Sequence, residues 1–178
     1  ASKSPRRKEI IENIGVLLDI KHSNVNEELI PKTLLPTEYC MELARLKAIS
    51  FREEYSEHTI IGADTIVVLD GQIIGKPVSS KNALEVLSKL SNRTHEVFTG
   101  VSIQNKILNI DETFYDRTEV TFYRLTEDEI LNYINIKKPF DKSGSYGIQE
   151  CSIFVKHIHG SFENVVGFPV SMFYQKWC

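Results

Sequence analysis

Ile60-Ile61-Gly62-Ala63-Asp64-Thr65-Ile66-Val67-Val68-Leu69, with Asp70-Gly71 behind it and Gln72-Ile73-Ile74 beyond, is the stretch on which the reading of this chain turns. An apolar run rich in β-branched residues and closed by an Asp-Gly pair predicts a buried strand, a tight turn and a short return strand. Gly62-Ala63-Asp64 interrupts the run. A carboxylate in such surroundings is costly unless it is paired, hydrogen-bonded or bound to metal. Asp64 is therefore either a strand-end group bonded to nearby backbone or part of a reacting centre, and position alone favours neither.

Upstream, Ser4 and Pro5 precede Ile10, Ile11 and Ile14, which predicts a helix capped by Ser4, stopped at Gly15 and followed by a strand over Val16 to Ile20. Arg6 and Arg7 then fall in the first turn, with Lys3 and Lys8 close by. Cations there oppose the helix dipole, an arrangement that makes sense if an anion shares the same helix end; otherwise the cluster is a solvated basic end. A second helix is predicted from about Thr37 to Phe51, with Cys40, Leu43, Ala44 and Lys47 on one face.

Downstream, Ser80 can cap a helix to about Leu90. Two longer strands, Glu96 to Ile103 and Phe114 to Tyr123, are joined through Asn105 and a middle segment, Ile107 to Ile110. Thr126-x-x-Glu129 is a capping box opening a helix that Lys138-Pro139 ends. Ile153 to Ile158 reads as a strand, His159-Gly160 as a turn, and Val170 to Trp177 as a terminal helix. Helices and strands interleave throughout, which predicts one α/β domain over residues 1–178 with a mixed, twisted central sheet flanked by helices.

Composition narrows the class of function. A chain of 178 residues, 42% hydrophobic and 25% charged, can bury a core without disulfides or structural metal. Its net charge of -3 gives no global attraction to nucleic acid or an anionic membrane, so any phosphate site has to be local. Cys40, Cys151 and Cys178 are far apart and read as reduced thiols of a cytoplasmic protein. No apolar run approaches the roughly 18 residues of a membrane span.

Two further segments carry polar chemistry. Gly71-x-x-x-Gly75-Lys76-Pro77 is one residue short of a P-loop and has proline where Ser or Thr should meet magnesium, so it is no Walker motif; Lys76 can still meet phosphate as a point charge. Asp141-Lys142-Ser143-Gly144-Ser145-Tyr146-Gly147-Ile148-Gln149 gathers glycines, hydroxyls and a cation in one loop, where Lys142 is a candidate phosphate ligand and Gln149 offers the donor and acceptor that a base edge requires. The histidines, His157 and His159 included, have no zinc spacing, and no GxSxG elbow is present.

In order and approximate spacing, Ala1 to Arg7, Gly62 to Thr65, Gly75 to Pro77, Asp141 to Gln149 and Val166-Gly167-Phe168-Pro169 resemble the motifs of the Maf family of nucleotide pyrophosphatases. The resemblance covers essentially the whole chain. It implies an inosine-triphosphatase-like α/β fold and a hydrolase that directs water at the α-phosphorus of a nucleoside triphosphate, releasing diphosphate with the help of a divalent metal, magnesium or manganese. Asp64 matches the family's proton acceptor and Glu27 an acidic position that could join it in holding metal. Ser4, Arg6, Arg7, Lys47 and Lys76 match positions around the triphosphate. At Arg6, Thr65 and Gln149 the chain is similar to the subgroup acting on dTTP and UTP, whereas a sister subgroup directed at 7-methyl-GTP carries Trp, Gln and Glu there.

The resemblance further implies nucleotide-pool housecleaning, a possible homodimer, and an apolar strand ahead of Ala1 that would help position Ser2 and Arg6. Glu150 stands where glycine is usual. Two other readings compete: an inosine or xanthosine triphosphatase, told apart by base preference, and a nucleotide-binding regulator of cell division. A pure binder, however, has no need of a carboxylate beside a polyanion.

Overall fold

The computed structural model describes residues 1–2, 4–27, 30–31 and 33–177. Lys3 of the basic cluster and Cys178 of the three thiols lie outside the described residues. The elements run α1 (Pro5–Asn13), α2 (Pro36–Ile49), β1 (Ile60–Leu69), β2 (Gln72–Ile74), α3 (Ser80–Leu90), β3 (Thr94–Asn105), β4 (Ile110–Phe122), α4 (Glu127–Lys137), β5 (Val155–His159), α5 (Phe162–Val166) and α6 (Val170–Trp177).

The strands form one sheet in the order β2-β1-β3-β4-β5. The α/β class with flanking helices is as expected, but among the described residues every pairing is antiparallel where a mixed sheet was predicted. Alternation of helices and strands along a sequence does not fix relative strand direction. Here β1 and β2 are joined by a two-residue hairpin whose Asp70 and Gly71 both have positive φ, 52° and 74°, as a primed turn needs.

Successive residues of β1 point to opposite faces, and each face is covered. Ile66 and Val68 pack with Cys40 of α2, while Val67 and Leu69 pack with Leu87 and Leu90 of α3 and Ile130 and Ile134 of α4. Ala63 joins Ile11 of α1 and Phe173 of α6 in a further cluster. The approach of α2 is unusually close because glycine lies beneath it. A Cβ on Gly62 would come 2.2 Å from the Ala44 carbonyl oxygen, and one on Gly100 2.3 Å from that of Cys40. Gly100 is the cross-strand partner of Asp64, so the same two glycines that admit the helix bring its Lys47 over Asp64.

Local signals explain most element ends. Thr126 and Glu129 complete the predicted capping box, and Lys138 ends α4 in a left-handed conformation. Ser4 occupies the N-cap of α1 with extended backbone but no side-chain capping bond. At α3 the capping hydroxyl belongs to Ser79, one residue before the expected Ser80, and accepts from the Asn82 amide at 3.1 Å. Val16 to Ile20 is not a strand. Its alternation supplies strand propensity, yet among the described residues no strand pairs with it; Val16 and Leu18 pack irregularly against the cluster around Ile11 and Phe173. β3 and β4 are longer than predicted, and Lys106 to Asn109 is their turn.

Candidate active site

β2 pairs with Val67 to Leu69, leaving the rest of that edge of β1 uncovered by it. A cleft of about 340 Å³ opens there. Its wall is built from separate pieces of chain, among them the start of α1, Glu27 between α1 and α2, Lys76 after β2 and the loop after α4. Ten residues singled out from the sequence line it: Ser4, Arg6, Arg7, Glu27, Lys47, Asp64, Thr65, Lys76, Lys142 and Gln149.

At its centre the Nζ of Lys47 donates to Oδ1 of Asp64 at 2.6 Å and to Oε1 of Glu27 at 2.8 Å. The side chains of Lys47 and Asp64 are each only 14% exposed, so this pair is shielded from bulk water. Burial alone would lower the Lys47 pKa, but the neighbouring Asp64 and Glu27 carboxylates raise it above the ordinary value. For Glu27, burial pushes upward and is outweighed by the hydrogen bond and charge of Lys47, with Lys76 and Arg7 adding, so its pKa falls below the ordinary range. An ammonium bridging two carboxylates is the result.

Arg7 is held at three points. Its Nε donates to the Gly167 carbonyl at 2.7 Å, Nη1 to Ser2 Oγ at 3.0 Å and Nη2 to Thr65 Oγ1 at 2.7 Å. Burial lowers its pKa, an effect the Asp64 charge partly reverses. Thr65 passes the contact inward. Thr99 gives its hydroxyl proton to the Asn164 carbonyl at 2.9 Å, so in its 3.0 Å contact with Thr65 the Thr99 oxygen accepts and Thr65 donates. Behind them the Asn164 side chain donates to the Val97 carbonyl and to Thr118 Oγ1. Thr99 and Asn164 are the support that sequence reading missed, since polar residues within or beside apolar stretches carry no local signal of what they touch.

The loop after α4 crosses the edge of β1. Ser143 Oγ donates to the Thr65 carbonyl at 3.4 Å, the Gly144 amide to the Gly75 carbonyl at 3.3 Å, and Tyr146 meets the buried His95 Nε2 at 2.7 Å. Gln149 and Lys76 are exposed on the cleft wall. Arg6 lies 3.8 Å from Asp141. Lys142, expected to meet phosphate, is buried in the cleft wall and paired with Asp141 at 2.9 Å and Glu150 at 3.4 Å. His157 and His159 are exposed on β5, and among the described residues no group of three or more His, Cys, Asp or Glu could enclose a metal.

Cations from α1, α2 and the segment after β2, arranged around two lysine-bridged carboxylates at a sheet edge, define a site for a polyanionic ligand. The chain belongs to the Maf family, whose model, described as Maf-like protein, matches residues 1–176. It is 51% identical over 172 residues to the dTTP/UTP pyrophosphatase of Bacillus anthracis, covering 96% of this chain and 88% of that protein. The protein of the same name from Bacillus cereus (strain ATCC 10987 / NRS 248) is likewise 51% identical, over 96% of this chain and 83% of its own length. That of Bacillus thuringiensis subsp. konkukian (strain 97-27) is 50% identical over 96% and 88%.

Proposed function

We propose that the protein hydrolyses dTTP and UTP to the nucleoside monophosphate and diphosphate, by attack of water on the α-phosphorus. The observation that carries this reading is the placement of Asp64 on Lys47, with Glu27 on the same ammonium, inside a cleft ringed by Arg6, Arg7 and Lys76. Cations lower the cost of charge on the leaving diphosphate, and a fixed carboxylate can take the proton of the attacking water. Oδ1 of Asp64 is bonded to Lys47, which leaves Oδ2 for that water.

A divalent ion fits the donor set. Two carboxylates without histidine or thiol suit a hard cation such as magnesium or manganese, which commonly takes its remaining ligands from water and substrate phosphates. Glu27 and Asp64 would hold it, and when bound it would neutralise phosphate charge and orient the water. Arg7, anchored through all three nitrogens, keeps one N–H on each terminal nitrogen for a phosphate oxygen. Arg6, Thr65 and Gln149 also line the cleft, and to them we assign the choice of pyrimidine.

Turnover of UTP and dTTP with magnesium or manganese, followed by chromatography of the nucleotide product, tests the reading. The monophosphate with diphosphate is the expected pair, and Asp64→Asn is expected to lose about 10²-fold or more in kcat. Nucleoside diphosphate with orthophosphate would overturn the cleavage point.

A further inference from the structure

Lys142 sits in the wall of the cleft, yet its side chain is only 8% exposed and its ammonium faces two carboxylates, Asp141 at 2.9 Å and Glu150 at 3.4 Å. Glu150 is held from a second side by the Tyr133 hydroxyl, which donates to its Oε2 at 3.4 Å and accepts from the Gly147 amide at 3.0 Å. Gly147 makes room for this fold-back, because a Cβ there would come 3.0 Å from Lys142 Cε and 3.1 Å from Glu150 Oε2. On the far side Asp141 reaches Arg6 at 3.8 Å. Charges thus alternate along one line, from Arg6 through Asp141 and Lys142 to Glu150, and that line joins the first turn of α1 to the loop bearing Gln149.

Resting on the pyrophosphatase reading above, we propose that Glu150 is a positioning residue that withholds Lys142 from the triphosphate, so that Lys142 braces the loop and affinity for nucleotide is set below what the cleft's cations could deliver. With Glu150 intact, Lys142 is spent on two carboxylates and Asp141 is shared with Arg6. Without it, a buried cation keeps one partner and turns toward the next anion within reach, the bound polyphosphate. The effect of residue 150 therefore passes through Lys142.

A double-mutant cycle tests this on the intact chain, using Glu150→Gln, Lys142→Met and their combination with UTP as substrate. Glu150→Gln is expected to lower KM by about two- to fivefold, the scale of one partly exposed ion pair, with a smaller change in kcat. Lys142→Met, which loosens the loop but removes no phosphate contact, is expected to raise KM by well under about tenfold and to abolish the effect of Glu150→Gln. A rise in KM of about tenfold or more for Lys142→Met would place that lysine on the phosphate and overturn the proposal. So would an unchanged KM in Glu150→Gln, or the same change with Lys142 absent.

Amine labelling read by mass spectrometry needs no lysine variant and keeps the idea testable if Lys142→Met does not fold. Lys142 is expected to be protected in the parent protein and to gain reactivity in Glu150→Gln; equal reactivity in the two would contradict it. Were the parent protein to yield no UMP from UTP, the pyrophosphatase reading would fall while the labelling experiment still decided the Lys142 pairing.

Discussion

Lys47 on α2 donates to Asp64 on β1 across 2.6 Å, a helix cation laid on a strand carboxylate where both side chains are largely shielded. Glu27 completes the bridge. Removing the ammonium leaves two neighbouring carboxylates without their common partner, and a shielded carboxylate left unpaired is costly. Lys47→Met is expected to reduce kcat by about 10²-fold and to lower the thermal midpoint in chelator, with magnesium or manganese restoring part of the midpoint. Calorimetry with and without metal checks it, and an unshifted midpoint in both would count against the bridge.

The glycines beneath α2 give a prediction of a different kind. Gly62→Ala places a methyl carbon against backbone 2.2 Å away, so the helix has to move rather than a flexible side chain. The expected cost is about 1–3 kcal/mol in denaturant unfolding. Activity should fall further than stability alone accounts for, because displacing α2 also displaces Lys47 from Asp64. Gly75→Ala, where nothing lies within 4 Å of the added carbon, is the comparison expected to cost little.

Thr99 reaches the cleft wall through Thr65, whose proton it fixes and which in turn accepts from Arg7. Thr99→Val removes that acceptor and leaves the Asn164 carbonyl without its hydroxyl donor. A loss of about 3- to 10-fold in kcat/KM for UTP is expected, the worth of one neutral hydrogen bond, and Thr99→Ser should recover most of it. Steady-state kinetics on the two variants decides the matter; equal losses in both would point to packing instead.

His95 supplies a dependence on pH. Burial lowers its pKa from the ordinary 6.5 to about 4 while its ring stays bonded to Tyr146. In the unfolded chain it takes up a proton near 6.5, so stability is complete above that pH and is lost as pH falls toward 4, by about 3 kcal/mol at the lower end. Denaturant titrations across this window should show the decline, and His95→Gln should flatten it.

Much of this was legible in the sequence because it depends on local rules. The Asp70-Gly71 turn, the Thr126 capping box and the apolar face of α2 each follow from residues a few positions apart. The residues lining the cleft were legible for another reason, since their motifs recur in order within a known family. Longer-range facts escaped. The strand directions depend on how connections cross the sheet, and the close approach of α2 depends on two glycines 38 residues apart meeting one helix. Lys142 lines the cleft as a cation in a glycine-rich loop suggests, but no local pattern announces that the side chain of Glu150 folds back on it.

Hydrolysis of UTP in ¹⁸O-labelled water, with mass spectrometry of both products, decides which phosphorus the water attacks. Attack on the α-phosphorus beside Asp64 predicts ¹⁸O in the UMP and none in the diphosphate. Label in the diphosphate alone would contradict it.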